Sequence, residues 1–164
     1  MSASRSLRFL IASLLALSGL AVATTTAEAK PNGRVPVRLL ALNDFHGNLE
    51  PPTGSSGRMV DENGATVDAG GAVYVATWMK RLENANTLKV AQGDLIGASP
   101  LISAAYHDEP TLEFFNNLGI TASAVGNHEF DEGYQELVRL INGGSHPVDG
   151  DSPDGPWQGT DFPY

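Results

Sequence analysis

The chain has 164 residues, enough for one domain at the usual ~100–200 residues each, and its apolar share of 41% is ordinary for a globular protein. A net charge of −9 argues against a nucleic-acid partner, which selects for basic surface. There is no cysteine, so disulfides, thiolate metal sites and cysteine nucleophiles are excluded.

Arg5 and Arg8 precede an apolar run over residues 9–23, and Ala27-Glu28-Ala29 matches the small-x-small cleavage pattern. Residues 1–29 therefore read as a signal peptide, with Ala21-Val22-Ala23 as a second cleavage point of the same form. The alternative is an N-terminal anchor. The run is short of the ~20 residues a spanning helix needs and is diluted by Ser13, Ser18 and Gly19, so no stable membrane span is expected after signal removal. The expected location is outside the cytoplasm: periplasmic, secreted or associated with the cell envelope.

Residues 30–142 read as the body of an α/β domain. Residues 37–42 are predicted to form a first strand. Residues 49–71 carry Pro51, Pro52 and several glycines without an apolar period, and read as a long loop. Ala72, Val75, Ala76, Met79 and Leu82 then recur at helical spacing, and residues 87–91 form a second strand, which closes a βαβ unit. Asp108 is placed to cap a helix with Pro110 in its first turn, Leu112, Phe115 and Leu118 as its buried stripe and Gly119 as its C-terminal stop. Of the adjacent Phe114 and Phe115, one is expected in the core and one partly covered. Residues 120–125 are the third strand. Asp131 is placed to cap a last helix whose inner face is Tyr134, Leu137, Val138 and Ile141. Residues 143–164 read as loop or linker, with Asp149, Asp151 and Asp154 solvated. His107 reads as a surface residue and His146 as a solvated loop residue, while Trp78 and Trp157 read as packing residues.

Each strand runs into polar residues. Residues 38–42 lead to Asn43-Asp44-Phe45-His46-Gly47, residues 87–91 to Gln92-Gly93-Asp94, and residues 120–125 to Gly126-Asn127-His128-Glu129-Phe130-Asp131. Ligands of open α/β sheets bind at the carboxyl ends of the strands. Asp44, His46, Asp94, Asn127 and His128 would meet at one such edge, and their oxygen and nitrogen atoms suit hard and borderline metal ions. One such motif alone is weak; three in order along one α/β unit are not.

These motifs together resemble the calcineurin-like metallophosphoesterases, and more narrowly the secreted bacterial 5′-nucleotidase and UDP-sugar hydrolase family. The resemblance spans roughly residues 37–141. It implies an α/β fold, here the front part of the four-layer αββα metallophosphoesterase fold, truncated. It further implies that Asp44 and His46 bind one divalent ion, that Asp94 bridges it to a second, and that Asn127 binds the second through its amide oxygen. His128 would be the catalytic imidazole and Asp131 its orienting carboxylate. Two ions of the zinc, manganese or cobalt kind and a nucleotide phosphate ester as substrate follow from the same resemblance. A cyclic-nucleotide phosphodiesterase or a sulfur-ester hydrolase on this scaffold is the nearest alternative, and a non-catalytic fragment another. The family's later ligands, a histidine and a Gly-His-x-His or Gly-His-x-Gln motif, have no counterpart in this sequence, nor does its nucleoside-binding C-terminal domain. The expectation is an N-terminal fragment that is inactive alone.

Overall fold

Three parallel strands deliver the three motifs to one edge. The structure is a computed structural model that describes residues 33–164; the signal-peptide reading lies outside them. In chain order come β1 (Arg38–Leu42), a 3₁₀ turn (Gly54–Gly57), β2 (Arg58–Val60), β3 (Thr66–Asp68), α1 (Gly71–Leu82) and β4 (Thr87–Ala91). Then follow α2 (Leu101–Ala104), α3 (Glu109–Leu118), β5 (Ala122–Ser123), a second 3₁₀ turn (His128–Phe130) and α4 (Tyr134–Asn142). The main sheet has the order β1-β4-β5 and is parallel throughout, with Leu39 beside Leu88, Leu42 beside Ala91 and Ala91 beside Ser123. This is the expected βαβ-based α/β architecture.

Two expectations shift in detail. The segment over residues 49–71 is not wholly irregular, because β2 and β3 pair as an antiparallel hairpin. Its strands are three residues long and Met59, Val60 and Val67 are exposed, so no alternating apolar pattern marks it. The turn is set by Asp61, whose carboxylate accepts the N–H groups of Asn63 and Ala65. The third strand is shorter than residues 120–125, although the Thr121 N–H donates to Lys89 O at 2.7 Å and the Ala124 N–H to Ala91 O at 3.0 Å on either side of it.

One apolar cluster underlies the site. Leu112, Phe115 and Leu118 of α3 are buried as their spacing predicts, and they meet Met79 of α1, Leu140 of α4 and the inward Leu40 and Leu42 of β1. Phe115 is fully buried and Phe114 partly so, which meets the expectation for that pair. In α4 the buried apolar residues are Leu137 and Leu140, whereas Tyr134 is exposed, so the inner face is rotated from the expected one. Residues 143–164 fold back onto this body. Phe162 enters the core, Trp157 packs against it while its Nε1–H donates to Leu140 O at 2.7 Å, and the Ser123 N–H donates to Pro163 O at 3.0 Å. Trp78, by contrast, is exposed, with the Arg81 guanidinium 5.4 Å from its ring centroid. The other face of the sheet, with Val37, Leu39 and Leu88, is exposed among the described residues. Among the described residues no helix is long and apolar enough to cross a membrane.

Candidate metal centre

Each motif is held by an anchor pointing inward while its polar residues point outward. In the first motif the anchor is Phe45, buried between Asp44 and His46. Its ring stacks on Phe114 at 5.6 Å and meets Phe115 edge-on at 5.0 Å. In the second it is Leu95 and Ile96, both buried directly behind Asp94. The backbones of these two motifs stay paired beyond the strands: the His46 N–H donates to Asp94 O and the Gly47 N–H to Leu95 O, both at 3.0 Å. In the third motif the anchor is a carboxylate. Glu129 is 3% exposed and accepts the N–H groups of Asp94 and Leu95, each at 2.9 Å, as well as that of Gly126. It stitches the second and third motifs together, a role that sequence reading did not assign to it.

That stitching explains two glycines. A Cβ on Gly93 would lie 2.3 Å from the Gly126 nitrogen, and one on Gly126 would lie 2.1 Å from Asp94 Oδ1. No side chain fits between the two loops.

The structure gathers Asp44, His46 and Asp94 so that one donor atom of each lies within 4.8 Å of the others. His46 Nε2 stands 3.8 Å from Asp44 Oδ1. His46 Nδ1 faces the Gly97 carbonyl at 2.9 Å, which assigns the proton to Nδ1 and leaves the Nε2 lone pair for an ion. All three residues have left-handed backbone, with φ of 53°, 48° and 51°. That conformation costs a residue with a side chain on the order of 1–2 kcal/mol. Finding it at all three donors, and where the surrounding backbone pairing holds it, marks a site where strain is retained to aim side chains. Asn127 sits at the same edge with its side chain exposed. The N–H of its neighbour His128 donates to Asp94 Oδ1 at 2.9 Å. Two carboxylates and an imidazole beside an exposed amide are a fitting donor set for divalent ions.

His128 lies next to this group, its ring 4.8 Å from that of His46 and nearly perpendicular to it. Its Nδ1 is 2.8 Å from Asp131 Oδ2, with the proton assigned to the nitrogen. The Asp131 bond raises the imidazole above its ordinary pKa against partial desolvation, and the same bond holds the Asp131 carboxyl below its ordinary value. Asp131 does not cap α4. Its Oδ2 also takes the Ala98 N–H at 3.2 Å, and Gly133 stands at the helix start. Asp108 does precede α3, but it makes no capping bond and is itself left-handed at φ 62°. Its buried carboxylate instead accepts from Gly97 N–H at 3.0 Å and from the Ser103 hydroxyl at 2.5 Å, bracing the loop behind Asp94.

His107 and His146 are not solvated residues. Their side chains are 21% and 12% exposed and their rings stack at 3.7 Å. They group with Glu132 and Glu136 rather than with Asp44, His46 and Asp94.

Parallel strands ending in this donor edge, with an imidazole–carboxylate pair alongside, define a metallophosphoesterase-type α/β domain. No family model matches the chain. It is 47% identical over 128 residues to an uncharacterized protein in the pqq-V 5′ region of Acinetobacter calcoaceticus, covering 73% of this chain and 61% of that protein. It is 42% identical over 124 residues to the endonuclease YhcR of Bacillus subtilis, covering 73% and 10%. Among solved structures, a 5′-nucleotidase precursor from Thermus thermophilus matches with a TM-score of 0.52 at 29% identity, over 62% of this chain and 19% of that one. The NAD nucleotidase of Haemophilus influenzae matches with a TM-score of 0.54 at 25% identity, over 70% and 25%. In its α/β fold and its sequence the chain is similar to the N-terminal part of 5′-nucleotidases, and it spans 61% or less of the length of these relatives.

Proposed function

We propose that the chain carries the metal-binding front of an exported phosphoesterase that hydrolyses nucleotide phosphate esters at a centre of two divalent ions. The observation that supports this most is the meeting of Asp44, His46 and Asp94 from two separate loops, beside the His128–Asp131 pair from a third. In this reading Asp44 and His46 would hold one ion, Asp94 would serve both because a carboxylate offers two anionic oxygens, and Asn127 would offer its amide oxygen to the other. Bound divalent ions of the zinc, manganese or cobalt kind supply Lewis acidity and charge neutralisation toward a phosphoryl group.

The remaining roles belong to the chain itself. His128, held through Nδ1 by Asp131, turns its Nε2 outward and donates a proton or a hydrogen bond to the phosphoryl or leaving oxygen. Asp131 fixes the ring plane and favours its charged form. Glu129 keeps the Asp94 and Asn127 loops in register. Export rests on the signal-peptide reading of residues 1–29, and one structural relative is itself a precursor.

The test is phosphate release from AMP, compared with cleavage of a cyclic nucleotide and of a sulfate ester, by the protein loaded with manganese, cobalt or zinc. Hydrolysis of AMP that is lost on Asp94→Asn supports the reading. Activity confined to the cyclic diester or the sulfate ester would move the substrate class to the alternatives on the same scaffold.

A further inference from the structure

We propose that His107, Glu132, Glu136 and His146 form a second cation site, separate from the Asp44–His46–Asp94 group, that takes a borderline divalent ion of the zinc type. The site is independent of the phosphoesterase reading and uses none of its residues. One donor atom from each of the four lies within 4.8 Å of every other. The four come from different parts of the chain: the turn before α3, the turn after the second 3₁₀ segment, the first turn of α4, and the segment after α4. They are spread along the sequence from position 107 to position 146, so only the fold brings them together.

The chemistry selects the ion. Two imidazoles and two carboxylates are the mixed nitrogen and oxygen set that zinc and cobalt take, whereas calcium and magnesium prefer oxygen alone. The rings of His107 and His146 stack at 3.7 Å and 13°, so both imidazoles belong to one cluster. Asp149 flanks the group rather than joining it: its Oδ2 is 3.1 Å from His107 Nε2 and 3.4 Å from His146 Nδ1, and its N–H donates to that same Nδ1 at 3.1 Å. The wider four-residue group contracts onto an ion by movement of Glu132, the most exposed of its side chains at 46%.

The charge balance points the same way. Arg139 neutralises Glu109 and Glu136, its Nη1 and Nη2 each 2.6 Å from a carboxylate oxygen. Among the described residues Glu132 and Asp149 have only the histidines as partners. A cation would complete this balance and cross-link the four segments. A cavity of about 90 Å³, lined by His107, Glu132 and Glu136 and by His128 and Asp131, lies between this cluster and the imidazole–carboxylate pair. An ion here would brace the loop that carries Asp131.

Cobalt(II) is the probe, because its visible absorption reports tetrahedral coordination. The full chain carrying His46→Ala and Asp94→Asn, which disables the first group, is expected to bind one cobalt ion per chain with that absorption. Glu132→Gln should weaken binding by roughly tenfold or more, and the pair His107→Gln with His146→Gln should abolish it while circular dichroism stays unchanged. If the disabled background does not fold, the same substitutions in the unsubstituted chain should remove one equivalent of cobalt from the total. Failure of the folded, disabled chain to bind cobalt, or binding that survives both Glu132→Gln and the double histidine replacement, overturns the site.

Discussion

Glu129 is the side chain whose replacement should separate architecture from ligation. It touches no donor through its own carboxylate, yet it receives three backbone N–H groups, from Asp94, Leu95 and Gly126. Glu129→Gln keeps the volume and replaces one acceptor oxygen with an NH₂ group that confronts an N–H. A buried donor left without an acceptor costs about 1–3 kcal/mol, and each of the two surviving bonds drops by about 1 kcal/mol when its acceptor loses its charge. The expected loss is about 3–5 kcal/mol, a large fraction of the ~5–15 kcal/mol that holds a domain together. Urea unfolding followed by circular dichroism measures it. Cation titration of the first group, read by calorimetry, should weaken in the same variant, because the Asp94 loop is no longer tied to the Asn127 loop. A variant within about 0.5 kcal/mol of the parent and with unchanged cation affinity would refute the clamp, since even the loss of one of the three bonds should exceed that.

Further predictions separate the roles around it. In the metal-loaded protein, His128→Ala should lower turnover by about 10²–10⁴-fold with metal content nearly intact if, as proposed, the imidazole serves proton transfer. Asp94→Ala should lose metal and activity together, and elemental analysis of both proteins would reverse the assignment if the losses were exchanged. Gly126→Ala places a methyl group on Asp94 Oδ1, 2.1 Å away before relaxation, so it should abolish cation binding at the first group while the far-ultraviolet spectrum is retained. Phe45→Ala removes the buried anchor of the first motif and should cost about 3–5 kcal/mol by denaturant unfolding.

The parts legible in the sequence were those written in neighbouring residues. Apolar runs at residues 38–42 and 87–91 became strands because they pair in one parallel register over their whole length. The polar residues after them stand at the strand ends, where the sheet stops and water reaches the backbone. The stripe Leu112, Phe115 and Leu118 became the inner face of α3 by the same local logic. Glu129 gave no such signal, since its three partners lie 3 to 35 positions away and a glutamate between His128 and Phe130 reads as one more acidic group.

The misreadings at Asp108 and Asp131 share one physical cause: a short polar side chain has a local use and a distant one, and the sequence displays only the local use. Asp108 and Asp131 each precede a helix, where a carboxylate can cap free N–H groups. The fold offers both a stronger alternative. The loop behind Asp94 is left-handed at Asp94 and Ala98, so its N–H groups at Gly97 and Ala98 turn away from any ladder and need acceptors. Asp108 answers the first and Asp131 the second. By taking the Ala98 N–H, Asp131 is drawn back to where its oxygen also meets His128 Nδ1. The left-handed loop that begins at Asp94 is therefore coupled, through the Ala98 N–H, to the carboxylate that orients the neighbouring imidazole. Loss of the left-handed turn, as in a variant that relaxes the loop, would misplace both the donor and the imidazole at once.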